Sequence, residues 1–221
     1  MSAAGQQTTR SIENSTAGPV VVVLAAGASS RMGKPKALLD FHGHPCVGVV
    51  LASCAAAGLQ RVVLVTAPAG EAVRAAAFHA GIATTPVINQ HPERGMLSSL
   101  QEGLRALPGD APAFFIFPVD FPLAPAQEIR RLWLAFAGRS PGQRIFVPSY
   151  ARRRGHPVLL DAALAPELLA LDPTASARVV MQAHAAEIVH LEAADDRVLM
   201  DMDTPEDYQR CLARHAAGPD R

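Results

Sequence analysis

The run VVVVLAAGASSRMGKPKALL, Val20 to Leu39, constrains this chain more than any other stretch. Val20 to Leu24 is continuous, apolar and mostly β-branched, the composition of a parallel strand buried on both faces. Ala25-Ala26-Gly27 then offers almost no side-chain volume where that strand ends, so a ligand could come close to the backbone. Two glycines, two serines, one arginine and two lysines fall within residues 27–36. They set donors and positive charge where a strand hands over to a helix, the make-up of an anion site. Tight strand-to-helix packing is the competing account of the small residues. Two common nucleotide fingerprints are missing. The glycines stand at Gly27 and Gly33 rather than in G-x-G-x-x-G, and Pro35 follows Lys34 where a P-loop requires a hydroxyl. A dinucleotide fold and a P-loop hydrolase are both poorly supported.

A chain of 221 residues can bury a large core. With 49% apolar and 18% charged residues it reads as compact and globular. Twenty basic and twenty acidic side chains cancel, which argues against a general nucleic-acid binder, and no apolar stretch approaches the roughly 20 residues of a membrane span. Residues 1–19 are polar and small without an apolar segment, so they read as a flexible leader rather than a signal peptide, ahead of a single domain over residues 20–215. Cys46, Cys54 and Cys211 are widely spaced with no C-x-x-C, and read as core residues of a reducing compartment, the cytoplasm.

Alternation of apolar runs and helical stripes gives a βαβα pattern. Strands are expected at Val20–Leu24, Arg61–Thr66, Thr84–Ile88, Ala113–Phe117, Ile145–Pro148, His156–Leu160, Ile188–Leu191 and Val198–Met200. Helices are expected over about 46–57, 69–79, 96–107, 124–137, 162–171 and 175–185, with Gly81 ending the second of them. The AFFIF strand at Ala113–Phe117 is the most hydrophobic and so central, and the seven residues 149–155 suit a hairpin better than a crossover. A last helix starts with Thr204 as N-cap and Pro205 in its first turn. Such a pattern gives a three-layer α/β fold with functional loops beyond the carboxyl ends of the strands.

Those ends carry Gly27 to Lys36, Asn89, Asp120 and the acids Asp201 and Asp203. Asp120 is flanked by Pro118 and Pro122, which fix it. A hard cation such as Mg²⁺ takes one or two carboxylates plus substrate phosphates, so acids beside a glycine- and lysine-bearing loop fit a Mg²⁺-nucleotide. On a continuing strand Asp201 and Asp203 would point to opposite faces; Asp203, at the loop–helix junction, is the favoured ligand, with helix capping as the competing role. The eight histidines show no ligand spacing, and there is no G-x-S-x-G nucleophile motif. Phosphoryl-type transfer needs mainly alignment and charge neutralisation, and this sequence supplies those means.

LAAGASSRMGKPKALL resembles the signature of the MobA-like nucleotidyltransferases of the molybdenum cofactor pathway. NQHPERGMLSSL, PVDFPL, RRRGHPVLL and DMDTPEDY are similar to that family's later motifs, in the same order, so the resemblance spans Val20 to about Leu212. It implies a mostly parallel, Rossmann-like sheet of the nucleotide-diphospho-sugar transferase type. By position, Gly27, Ser29, Arg31 and Gly33 would wrap the triphosphate, Leu24, Ala25 and Ala26 would belong to the same binding site, and Lys36 with Arg31 would stabilise charge in the transition state. Asp120 and Asp203 would hold Mg²⁺, Asn89 and Ser99 would lie near the nucleoside, and Arg154 and His156 near the acceptor. The implied reaction is attack of an acceptor phosphate on a nucleoside triphosphate with loss of pyrophosphate. LAAG looks more like the cytidylyltransferase branch than the LAGG of the guanylyltransferase branch, so CTP and molybdopterin cofactor are the expected substrates, with a molybdoenzyme or its chaperone as a partner. Two departures fall on the acceptor side: Asp172-Pro173-Thr174-Ala175-Ser176-Ala177-Arg178 lacks the glycines of the family's G-D-x-G-A-R, and Phe121 stands where Gln or Met is frequent. The rival expectations are another small phosphorylated acceptor and a nucleotide-binding protein without turnover.

Overall fold

The computed structural model describes residues 18–27, 33–78, 80 and 82–216. In chain order the elements are β1 (Val20–Ala25), a small hairpin of β2 (Asp40–Phe41) and β3 (His44–Pro45), α1 (Cys46–Ala56), β4 (Arg61–Thr66), α2 (Glu71–Phe78), β5 (Thr84–Ile88) and α3 (Met96–Arg105). There follow β6 (Ala113–Pro118), α4 (Ala126–Ala137), β7 (Ile145–Tyr150), β8 (Arg153–Arg154), β9 (Val158–Asp161), α5 (Ala165–Ala170), α6 (Arg178–Ala183), β10 (Ile188–Glu192) and α7 (Pro205–Ala216). The main sheet runs β10-β7-β9-β6-β1-β4-β5, with β8 added to β7. Along that path only β9 is antiparallel to its neighbours. The mostly parallel three-layer α/β fold is as expected, and β6 is central. No helix among the described residues is long and apolar enough to cross a membrane.

The uniform apolar run of β1 makes sense because both of its faces are covered. Val21 and Val23 pack with Val47, Val50 and Leu51 of α1 and with Ile129, Leu132 and Phe136 of α4. Val20, Val22 and Leu24 pack with Leu97, Leu100 and Leu104 of α3 and with Leu164 and Leu168. Each such side chain stabilises the fold by roughly 1.5–3 kcal/mol relative to leaving it exposed. Helix α3 comes close to the sheet at Gly103, where a β-carbon would overlap Val22 Cγ1 and stand 3.1 Å from Val65 Cγ2. Helix propensity favours alanine there by only about 1 kcal/mol, and stiff β-branched neighbours cannot step aside. Gly103→Ala is therefore expected to lower stability by roughly 1–2 kcal/mol net, read from the denaturant midpoint; a stabilised variant would contradict the close packing.

The hairpin expected over 145–160 is present, with β7 antiparallel to both β8 and β9. Ala151 and Arg152 turn it with φ of 49° and 65°. The strand expected at Val198–Met200 is not there. Residues Asp196–Leu199 form a 3₁₀ turn capped by Asp195, whose side chain accepts from the Arg197 amide, and the Val198 carbonyl accepts from the His156 amide at 2.9 Å instead of joining a ladder. The helix expected over 175–185 is confined to α6, with a 3₁₀ turn at Ala185–Glu187, and a 3₁₀ turn at Ala162–Leu164 precedes α5. Gly81 lies outside the described residues.

His184, after α6, ties these late segments together. Its Nε2 meets Glu167 at 2.7 Å and its Nδ1 meets Glu187 at 3.0 Å, and Arg144 bonds Glu187 from β7's leading edge. The bond to Glu167, then that to Glu187, holds the imidazole above its ordinary value near 6.5, while Arg144 first and His184 second pull Glu187 down to about 2. A raised histidine stabilises fully below its ordinary value and loses that contribution as pH rises through its folded value. The Tm difference between wild type and His184→Gln is expected to be largest below about pH 6.5 and to shrink above it; a pH-independent difference would exclude the charged pairing.

Candidate active site

A cleft of about 330 Å³ opens beyond the carboxyl ends of β1 and β6. Its walls are residues 24–27, Pro35, Lys36 and Ala37, Pro92, Gly95, Met96 and Ser99 at the entry to α3, residues 118–120, and Asp203 ahead of α7. Ligands of open α/β sheets bind at such strand ends. The short side chains of Ala25 and Ala26 keep the β1 end low, and Gly27 is exposed at the rim.

Lys36 opens the 3₁₀ turn Lys36–Leu38, behind Pro35, and its ammonium reaches across the cleft. Nζ lies 3.2 Å from Asp120 Oδ2 and 2.7 Å from Asp203 Oδ1. Burial alone would lower its pKa, but the bonds to Asp203 and Asp120 outweigh burial and hold the ammonium above its ordinary value. Asp120 is fixed by its backbone: the Val119 amide donates to the Leu24 carbonyl at 3.1 Å and the Phe121 amide to the Pro118 carbonyl at 3.2 Å. Asp203 is not the cap of α7. Thr204 and Asp207 cap that helix reciprocally, Asp207 N–H donating to Thr204 Oγ1 at 3.2 Å and Thr204 N–H to Asp207 Oδ2 at 2.9 Å. Asp201 lies on irregular chain, so strand alternation does not decide between the two acids. Burial first, then the Asp203 and Asp120 carboxylates, push Asp201 above the usual carboxylate range.

Asp120 Oδ1 is buried and makes no hydrogen bond among the described residues. An orphaned carboxylate oxygen is costly unless something positive occupies its front. Together with Asp203 it offers hard oxygen donors, a set that fits Mg²⁺ or Mn²⁺. Among the described residues no cluster of three or more acidic, histidine or cysteine ligands is preassembled, which suits a cation that takes its remaining ligands from substrate phosphates.

The other wall is the entry to α3. Gly95, at φ 103°, is the N-cap, so the first helical amides have no side-chain cap where Gly95, Met96 and Ser99 line the cleft. Asn89 shapes this wall without lining it. Its Nδ2 donates to Ser98 Oγ and Ser99 Oγ at 2.9 and 3.0 Å, and its Oδ1 accepts from the His91 amide at 2.9 Å.

The MobA-like NTP transferase domain matches residues 21–188. The chain belongs to that family. A molybdenum cofactor guanylyltransferase of Xanthomonas euvesicatoria is 31% identical over 195 residues, 86% of this chain and 93% of that protein. A nicotine blue oxidoreductase of Paenarthrobacter nicotinovorans is also 31% identical, over 86% of this chain and 95% of its own. Among solved structures, Rv0371c of Mycobacterium tuberculosis in complex with manganese is 26% identical with a TM-score of 0.69, covering 90% of this chain and 99% of that one. The fold is accordingly that of a MobA-like nucleotidyltransferase.

Within this MobA-like frame the remaining expected residues fall in three groups. Leu24, Ala25, Ala26, Gly27, Lys36, Ser99, Asp120 and Asp203 meet in the cleft. Gly33, at φ 69°, is exposed and off the cleft wall, and Ser29 and Arg31 lie outside the described residues. His156 stands on the Asp120 side, its ring 4.5 Å from that of Phe121 and its Nδ1 buried without a partner among the described residues. Burial lowers its pKa despite the Asp120 charge, so it is neutral at pH 7. Arg154 is exposed in β8, beyond the cleft lining. Sequence reasoning missed Met96, 59% exposed at the cleft lip, because an apolar residue opening an amphipathic helix reads as core. The available signal was Gly95 itself, a residue with no capping side chain placed directly ahead of the helix.

Proposed function

We propose that the chain transfers a nucleotidyl group from a nucleoside triphosphate to the phosphate of a small acceptor, with CTP as donor and molybdopterin cofactor as acceptor. The observation that carries this reading is the Lys36 ammonium held between Asp120 and Asp203 in a cleft floored by Ala25, Ala26 and Gly27. An acceptor phosphate oxygen attacks the α-phosphorus, the bond to the bridging oxygen breaks, and pyrophosphate leaves. Lys36 neutralises charge on the triphosphate, amides of the first turn of α3 donate to a phosphate oxygen, and the low β1 end lets the backbone approach. Asp120 and Asp203 would hold a divalent cation, which when bound supplies charge neutralisation at the transferred phosphorus. The manganese complex of Rv0371c supports a divalent ion without distinguishing Mg²⁺ from Mn²⁺.

The acceptor is supported by the Xanthomonas relative, whose own donor is guanylyl rather than cytidylyl. Support for CTP is Ala26 in the LAAG turn. The deciding experiment is pyrophosphate release from CTP, GTP, ATP and UTP with Mg²⁺ or Mn²⁺, with and without molybdopterin cofactor. Release that depends on acceptor and is fastest with CTP is the expected result; GTP preference would overturn the donor, and no release with any donor would overturn the reaction. An arm with nicotine blue as substrate covers the activity named for the Paenarthrobacter relative, with no change in nicotine blue expected.

A further inference from the structure

Helix α1 begins at Cys46, which touches both halves of the site from below. Its amide donates to the Leu39 carbonyl at 2.8 Å, closing the segment that carries Lys36. Its thiol donates to the Val119 carbonyl at 3.1 Å, in the peptide that leads into Asp120. The Val119 amide is already bound to the Leu24 carbonyl, so both polar groups of that residue are held, one by β1 and one by Cys46. A second thiol stands under the other acid. Cys211 of α7 lies 3.8 Å from the Asp201 carbonyl, two residues ahead of Asp203. Both cysteines are completely buried.

An aliphatic side chain would fill the same volume at position 46 but would leave the Val119 carbonyl without this donor. A thiol supplies one at little desolvation cost. Burial, reinforced by Asp120, pushes the Cys46 thiol far above its ordinary range, so it stays protonated and keeps donating. Cys54, in the same helix and equally buried, makes no such bond among the described residues and fills volume in the core.

We propose that Cys46 is a positioning residue: through its bonds to Leu39 and Val119 it fixes the Asp120 carboxylate against Lys36, and Cys211 steadies the Asp201–Asp203 segment in the same way. The inference rests on the reading of Asp120 and Asp203 as the cation-holding pair. A reoriented Asp120 peptide changes the distance and direction of the carboxylate without removing it, and small misplacements of reacting groups cost rate steeply.

The test compares Cys46→Ala, Cys46→Ser and Cys54→Ala, with Mn²⁺ alone titrated by electron paramagnetic resonance and pyrophosphate release resolved into kcat and KM. Cys46→Ala is expected to weaken Mn²⁺ binding and to lower kcat, each by about tenfold, with the nucleotide KM little changed. Cys46→Ser, which keeps a donor, is expected to recover most of both. Cys54→Ala removes the same volume from the same helix and is expected to lower the Tm while leaving Mn²⁺ affinity and kcat alone. Should the alanine variant not fold, Cys46→Val makes the same comparison at full volume. Wild-type Mn²⁺ affinity in Cys46→Ala or Cys46→Val, or a serine variant as impaired as they are, would overturn the role of Cys46 while leaving the functional reading intact. A wild-type protein that neither binds Mn²⁺ nor releases pyrophosphate would overturn that reading, and this inference with it.

Discussion

Asp120→Asn is expected to lower cation-dependent nucleotidyl transfer by at least about a thousandfold while leaving the protein folded, since loss of several kcal/mol of charge stabilisation translates to that rate. The substitution keeps the shape of the side chain. It replaces an oxygen that bonds Lys36 and a buried oxygen with no partner among the described residues by an amide that cannot hold a divalent cation as a carboxylate does. Folding should hardly suffer: Lys36 retains Asp203 at 2.7 Å, and neutralising one of three neighbouring acids relieves repulsion on Asp201 and Asp203. Pyrophosphate release and the unfolding midpoint, measured on one preparation, check both halves. Turnover within tenfold of wild type would remove Asp120 from the cation site, and a collapse of the midpoint would mark it as structural instead.

Lys36→Met should split binding from turnover. Methionine keeps the unbranched stem but removes the ammonium, so transfer is expected to fall by about a hundredfold or more, the scale of losing one charge-stabilising donor. The same change strips Asp120 and Asp203 of their shared counter-charge. Mn²⁺ binding to the nucleotide-free variant is therefore expected to tighten as transfer weakens, since the carboxylates then face each other with no cation of their own. Calorimetric titration with Mn²⁺, alongside the rate assay, reads the two effects separately. Weaker Mn²⁺ binding in the variant would show that Lys36 organises the acids rather than competing for them.

What the sequence made legible was whatever depends on neighbours in the chain. The β-branched run of β1 needed two covering layers, and it has them. Thr204 ahead of Pro205 announced a helix start, and Thr204 caps it reciprocally with Asp207 three residues on. Illegible features depend on partners far along the chain. Val198 looked like a strand residue, but its carbonyl serves His156, 42 positions away (198 − 156), and Asp195 turns the chain before any ladder forms. Asn89 was legible as a polar residue at a strand end, whereas its commitment to Ser98 and Ser99 was not. Cys46 read as a small hydrophobe because its acceptor, Val119, lies 73 residues on.

The reversed direction of β9 alters where to look for function in this sheet. In the parallel strands the chain enters the cleft as it leaves the strand, which is how Gly27 and Asp120 arrive. Ile116 near the end of β6 pairs with Val158 at the start of β9, so for this strand the approach comes first and the departure leads away. His156 and Phe121 therefore meet at one rim although one precedes its strand and the other follows its own. Asp161, at the trailing end of β9, sits at the opposite edge of the molecule, bonded to Arg139 and capping the next turn. In the connection that leads into β9, residues 151–154 are exposed and β8 pairs with β7 rather than with β1 or β6, whereas Gly155, where a β-carbon would overlap the Val198 carbonyl, and His156, whose amide is bound to that carbonyl, are held in place.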